Sequence, residues 1–170
     1  MGTVSEITAS GLKANGLYTA LVAVDGRYFT LRLSVVEMRC FAALCYATLM
    51  YDRSGWEFKE KLLGETTRKN VDKRSFMQRV EYSIARLERK LVEQTDMLWV
   101  QPIEKFRYRR LVRLRIPDDC IVEMMTISLE KSDDADLRSI ARRHKIYRSR
   151  RNNVQKVRAQ NDNRALKKAG

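Results

Sequence analysis

The sequence has little of several things that chemistry needs. His144 is its single histidine among 170 residues. That leaves almost nothing for Ser–His or Cys–His nucleophiles, His-rich zinc sites or imidazole acid–base schemes. Cys40, Cys45 and Cys120 are odd in number and follow no disulfide or zinc spacing. They read as reduced thiols in a reducing compartment. No apolar run approaches ~18 residues, so no membrane span is expected. The first residues lack a basic region followed by a long apolar stretch, so secretion is not expected and a cytoplasmic protein is. The glycine spacings of phosphate-binding and dinucleotide-binding loops are absent as well. No enzyme, catalytic set, cofactor or metal is expected. Asp118-Asp119 and the Asp133–Asp136 run could be read as magnesium ligands, but a solvated linker or a mask for the neighbouring cations is favoured.

What the chain does have is positive charge, and it is unevenly placed. Thirty-four basic and 21 acidic side chains give a net +13. Residues 1–65 are neutral overall, with seven of each sign. Residues 66–115 hold fourteen cations and six acids, a net +8. Residues 116–136 are acidic at −6, and residues 137–170 return to +11. Two basic blocks around an acidic one point to a polyanionic partner, nucleic acid before membrane.

Patterning suggests an α+β chain. Residues 1–17 contain three glycines and read as a loose lead-in. Tyr18 to Leu33 reads as a β-hairpin around Asp25-Gly26. Ser34-Val35-Val36-Glu37 is a capping box that opens a helix to about Met50. Its core face is Met38, Phe41, Leu44, Cys45 and Leu49. Ser54-Gly55-Trp56-Glu57 repeats the capping pattern and predicts a short second helix ending at Gly64. A third helix is expected from Asp72 or Ser75 to about Glu93. Phe76, Val80, Ile84, Leu87 and Leu91 form its apolar stripe. Leu98 to Gln101 and Phe106 to Ile116 read as strands around a turn at 102–105. Pro117 ends the second strand. The apolar residues of 120–129 could be a strand or a docking helix. Leu137 to about Ile146 could be a basic helix, with a mobile remainder.

Hairpin, three helices and hairpin is the order of a winged helix. Leu33-Ser34-Val35-Val36-Glu37-Met38-Arg39 resembles the first-helix entry of the OmpR/PhoB-type winged-helix domain. Lys59-Glu60-Lys61-Leu62-Leu63-Gly64 resembles its short second helix. Val80 to Leu91 resembles its recognition helix, and Phe106-Arg107-Tyr108-Arg109 falls where the family has its wing. Ala85 and Glu88 stand where the family often carries cations, and Pro102-Ile103-Glu104-Lys105 replaces its Gly-rich wing turn. The resemblance implies a winged helix-turn-helix over 18–117 that binds double-stranded DNA as a sequence-specific transcription regulator. With 17 residues before the first strand, no phospho-receiver domain is expected. Residues 118–136 would then be a linker and 137–170 a basic tail.

A helix fits the major groove, where base edges are distinguishable. Arg86, mid-face, is the first candidate for reading a base. Arg79, Tyr82 and Ser83 would share the groove, with Arg89 and Lys90 on the same basic side. Arg68, Lys69, Lys73 and Arg74 precede or open the helix and suit phosphates. Arg107 and Arg109 lie on the wing, and Lys105 at its tip would reach the minor groove. In the tail, Arg142, Arg143, Arg148, Arg150 and Arg151 would clamp DNA without regard to sequence. Trp56, Trp99 and Phe76 are expected in the core. An RNA-binding or assembly protein, or a plasmid replication or partition factor, are the alternatives. The 120–129 patch is the candidate surface for a homodimer or protein partner.

Overall fold

The computed structural model describes residues 2–50, 54–64, 68–69, 71–106 and 110–169. The chain is α+β. Strands β1 (Val4–Ala9), β2 (Lys13–Ala14), β3 (Leu17–Val24) and β4 (Arg27–Leu33) come first, followed by helix α1 (Val35–Met50). A two-residue strand β5 (Glu57–Phe58) runs into a 3₁₀ turn at Lys59–Lys61, and helix α2 (Lys73–Glu93) follows. Then come β6 (Ile103–Phe106), β7 (Leu111–Leu114), β8 (Ile121–Met124), a short helix α3 (Thr126–Glu130) and the long helix α4 (Ala135–Ala169).

The expected hairpin is β3–β4, in register from Tyr18↔Leu33 to Val24↔Arg27. Asp25 and Gly26 both have positive φ, 50° and 74°, as a type I′ turn requires. Residues 1–17 are not a loose lead-in. Strand β1 pairs antiparallel with β3 and parallel with β8, so it lies inside the sheet. Val4, Ile7 and Ala9 are buried. The larger sheet therefore runs β4-β3-β1-β8, with β2 continuing along the edge of β3. The stretch expected to be a linker supplies β8, and Cys120, Met124 and Leu129 are buried in the chain's own core. Of the apolar residues of 120–129, only Ile121, Met125 and Ile127 stay exposed.

The capping box of α1 forms reciprocally. Glu37 Oε2 accepts from Ser34 N at 2.8 Å, and Glu37 N donates to Ser34 Oγ at 3.3 Å. Beyond Arg39 the helix carries no charge, and Cys40 through Thr48 are all buried. Such a helix is enclosed on every side. Sheet, α2, α4 and the smaller sheet surround it. The second helix expected before Gly64 is replaced by β5 and one 3₁₀ turn, because Glu57 and Phe58 pair with Val112 and Leu111. That pairing makes a three-stranded sheet, β5-β7-β6. The hairpin register also differs from expectation. Ile103 to Phe106 form strand rather than turn, and no strand forms at 98–101. Positive φ at Asp96, Met97 and Gln101 breaks the chain there. Trp99 turns inward, 2% exposed, and its Nε1 donates to Arg115 O at 3.1 Å. Phe76 is buried too, whereas Trp56 is half-buried between Phe106 and Arg113.

Helix α4 is far longer than the expected 137–146. Asp134 caps it by accepting from Leu137 N at 3.0 Å. Leu137, Ile140, Ala141 and His144 bury its first turns, and every residue from 148 to 169 is exposed. Neither glycine nor proline interrupts 118–169.

Candidate nucleic-acid interface

Helix α2 starts at Asp72, whose carboxylate accepts from Ser75 N at 3.0 Å. That bond and the Ser75 hydroxyl hold the Asp72 carboxyl below its ordinary value. Phe76, Val80, Ile84, Leu87 and Leu91 are buried, as their spacing predicts. At 100° per residue, the opposite side carries Arg74, Gln78, Tyr82, Ala85 and Arg89, all exposed. Lys73, Arg74 and Arg79 are exposed and make no ion pair among the described residues. Tyr82 is 65% exposed.

Several expected readers are engaged elsewhere. Arg86 Nη2 lies 3.2 Å from Glu37 Oε1, and that carboxylate is only 2% exposed. The Arg86 guanidinium also lies 5.7 Å from the Tyr82 ring. The ion pair ties α2 to the start of α1, and the Arg86 side chain remains 43% exposed. Ser83 is buried and donates its hydroxyl to Arg79 O at 2.7 Å, so it cannot face a groove. Arg89 lies 3.8 Å from Glu93 on the exposed surface, where such a pair constrains little. Lys90 is half-buried in the last turn.

The hairpin corrects another expectation. Lys105 sits within β6, opposite Val112, and its Nζ bonds Glu88 Oε2 at 2.8 Å. It is not at the tip and its charge is paired. Arg107 and Arg109 lie outside the described residues. Arg110, beside them, reaches Glu60 at 3.2 Å. Arg113 bonds Glu104 at 2.7 Å and stacks 4.3 Å above the Trp56 ring. Arg68 and Lys69 are exposed shortly before α2.

Between the start of α1 and α2 lies an open groove of ≈ 490 Å³, lined by Val35, Val36, Arg39, Arg79, Tyr82 and Arg86 among others. Arg39 is committed to Asp134 through bonds from Nε at 2.9 and 3.0 Å and a further contact from Nη2. The hydrogen bond to Asp134 raises the Arg39 guanidinium above its ordinary value, and burial partly opposes this. The two groups join α1 to the start of α4, so Asp134 is neither a free metal ligand nor a mask for the tail. Gly64 packs against the same place. A Cβ there would lie 2.3 Å from Asp136 Cγ.

In α4, Arg142, Arg143, Arg148, Arg150 and Arg151 are all exposed. Arg143 lies 5.5 Å from the Tyr46 ring. Arg148 and Arg151 border a groove of ≈ 360 Å³ with Leu49, Val122, Met124 and Tyr147. The charge pattern does not single out Gln78, although helical period alone puts it outward. Lys156, Arg158, Arg164, Lys167 and Lys168 belong to the basic block of 137–170 but fall in the stretch expected to be mobile, and charge alone does not place them on a helix. The lack of helix breakers through 118–169 is the signal for them. No three His, Cys, Asp or Glu side chains converge as a metal site among the described residues. The cysteines are buried, and burial pushes the Cys40 thiol up to about 12. No helix is long and apolar enough to cross a membrane among the described residues.

No protein-family model, curated protein or solved structure matches the chain.

Proposed function

We propose that the chain is a sequence-specific double-stranded DNA-binding regulator that lays α2 in the major groove. The observation that carries this reading is the exposed surface of α2, which presents cations with no ion pair among the described residues beside uncharged groups that can hydrogen-bond. Lys73, Arg74 and Arg79 are free to meet phosphates or base edges, with Gln78 one turn after Arg74 and Tyr82 one turn after Arg79. An arginine can pair with guanine and a glutamine with adenine through two bonds each. The order hairpin, α1, β5, α2, β6, β7 supports a winged-helix reading of the OmpR/PhoB type. In that reading β5 closes the C-terminal hairpin into a small sheet, and Lys59 just after β5 bonds Glu81 on α2. Base reading falls to Arg79, Gln78 and Tyr82. Arg86 serves as a positioning residue through Glu37.

The test is selection of bound duplexes from random DNA, followed by substitution. Gln78→Ala and Arg79→Ala are each expected to cost about 1–3 kcal/mol on the selected sequence and less on random duplex. Equal losses on both would remove their base-reading role. Preference for structured RNA over duplex DNA in competition at several salt concentrations would replace DNA as the partner.

A further inference from the structure

The two cationic helices lie toward opposite edges of the larger sheet. The larger sheet runs β4-β3-β1-β8, so β4 and β8 are its opposite edges. Helix α2 belongs to the β4 edge, where the Gln94 side chain just past its end bonds Arg32 N at 2.7 Å and Arg32 O at 3.1 Å. Helix α4 belongs to the β8 edge, where its residues and Val122, Glu123 and Met124 border one groove. The buried helix α1 packs on both and separates them. Helix α4 follows α1 in the same direction. Asp134 meets Arg39, His144 meets Tyr46 edge-on at 6.4 Å, and Arg151 reaches Leu49 near the end of α1. Residues 152–169 then overhang the body by roughly 27 Å at 1.5 Å per residue.

We infer that the chain holds two duplex DNA segments at once, one on α2 and a second along the overhanging half of α4. The inference rests on the reading of α2 given above, and it assigns α4 a duplex of its own. Residues 148–169 carry eight cations and a single acid, Asp162. At 100° per residue these cations point in every direction, which a flat anionic surface would leave mostly unused. A groove walled by phosphates on both sides engages them, and a helix about 10–12 Å across fits a major groove about 12 Å wide. Self-association through this helix would oppose the same charges. Val154, Val157 and Leu166 are exposed but form no continuous stripe that could offset that repulsion. The overhang matches roughly eight base pairs at 3.4 Å per step.

The experiment uses the full chain, a bead-tethered duplex and a labelled second duplex in solution, with binding of one duplex followed separately by fluorescence anisotropy. One full-length variant carries Lys156, Arg158, Arg164, Lys167 and Lys168 each changed to Gln. All five are exposed, so folding is not at stake. A second carries Arg74→Gln and Arg79→Gln. The natural chain should capture the second duplex. Each variant should still bind one duplex and capture at most about a tenth as much of the second, since each phosphate left unneutralised costs close to tenfold near 0.1 M salt. Undiminished capture by the tail variant would overturn the inference, because bridging would then come from self-association. Binding of one duplex without capture would also overturn it and make α4 a clamp on the same duplex. Capture of structured RNA in place of the second duplex would overturn it too. Absence of any duplex binding by anisotropy would remove the α2 reading along with it.

Discussion

Arg79 and Arg86 lie two turns apart on one helix and have opposite circumstances. Arg79 has no acidic partner among the described residues, whereas Arg86 neutralises a carboxylate that is almost wholly buried. Removing one partner of such a pair leaves the other desolvated and uncompensated. Arg86→Ala should therefore lower stability by about 1–3 kcal/mol in thermal or urea unfolding, with little change in DNA affinity of the folded protein. Arg79→Ala should shift stability by less than about 0.5 kcal/mol and weaken DNA binding. The reverse pattern would exchange their roles. The period of α2 makes its outward residues legible, since Phe76 through Leu91 fix the buried stripe. Which cations stay free is not legible. Their acids come from elsewhere: Glu37 on α1 for Arg86, and Glu88 across from β6 for Lys105. No local spacing encodes those pairings.

Among the elements, the seam between α1 and α4 holds two titratable groups displaced from their ordinary values, Asp134 and His144. Burial raises the Asp134 carboxyl, but the bonds from Arg39 and from Leu137 N outweigh it, and the group sits below its ordinary value. Its contribution is present above the ordinary carboxylate range and is lost as pH falls through the lowered value. Burial, and then the Arg148 charge, push His144 below its ordinary value. The unfolded chain thus takes up a proton before the folded one, and stability declines as pH drops below about 6.5. Melting temperature should fall between pH 7.5 and 5.5, and His144→Gln should flatten that segment. The further drop in the acid range should remain in that variant and shrink in Asp134→Asn. A profile unchanged by both substitutions would show that the seam does not control stability. The elements themselves are unevenly legible. The β3–β4 hairpin, α1 and α2 announce themselves through a turn dipeptide, a capping box and an apolar period. Strands β1 and β8 are short and pair with each other across most of the chain, so neither shows its partner locally. Much of α4 stays hidden because its Asn-rich, charged half has no apolar face to reveal a period.

For the whole molecule, charge on two separate flanks changes what salt should do. If α2 and α4 serve different duplexes, neutralising the five tail cations should leave the salt slope nearly intact for a selected sequence. For random duplex the slope should flatten, by up to about 0.9 for every phosphate no longer neutralised. Equal flattening on both would place the tail and α2 on one duplex. Another whole-molecule property follows from the parallel pairing of β1 with β8. Glu6 lies beside Ile121, more than a hundred positions later. Synthesis at about 5–20 residues per second delivers that neighbour several seconds or more after β1 itself. Until then the nascent chain offers an open strand edge beside an apolar helix. The molecule closes as a clasp does, its first strand held by one of its last. A nascent chain arrested at residue 117 should be cut readily at β1 by protease, whereas the released full chain should resist there.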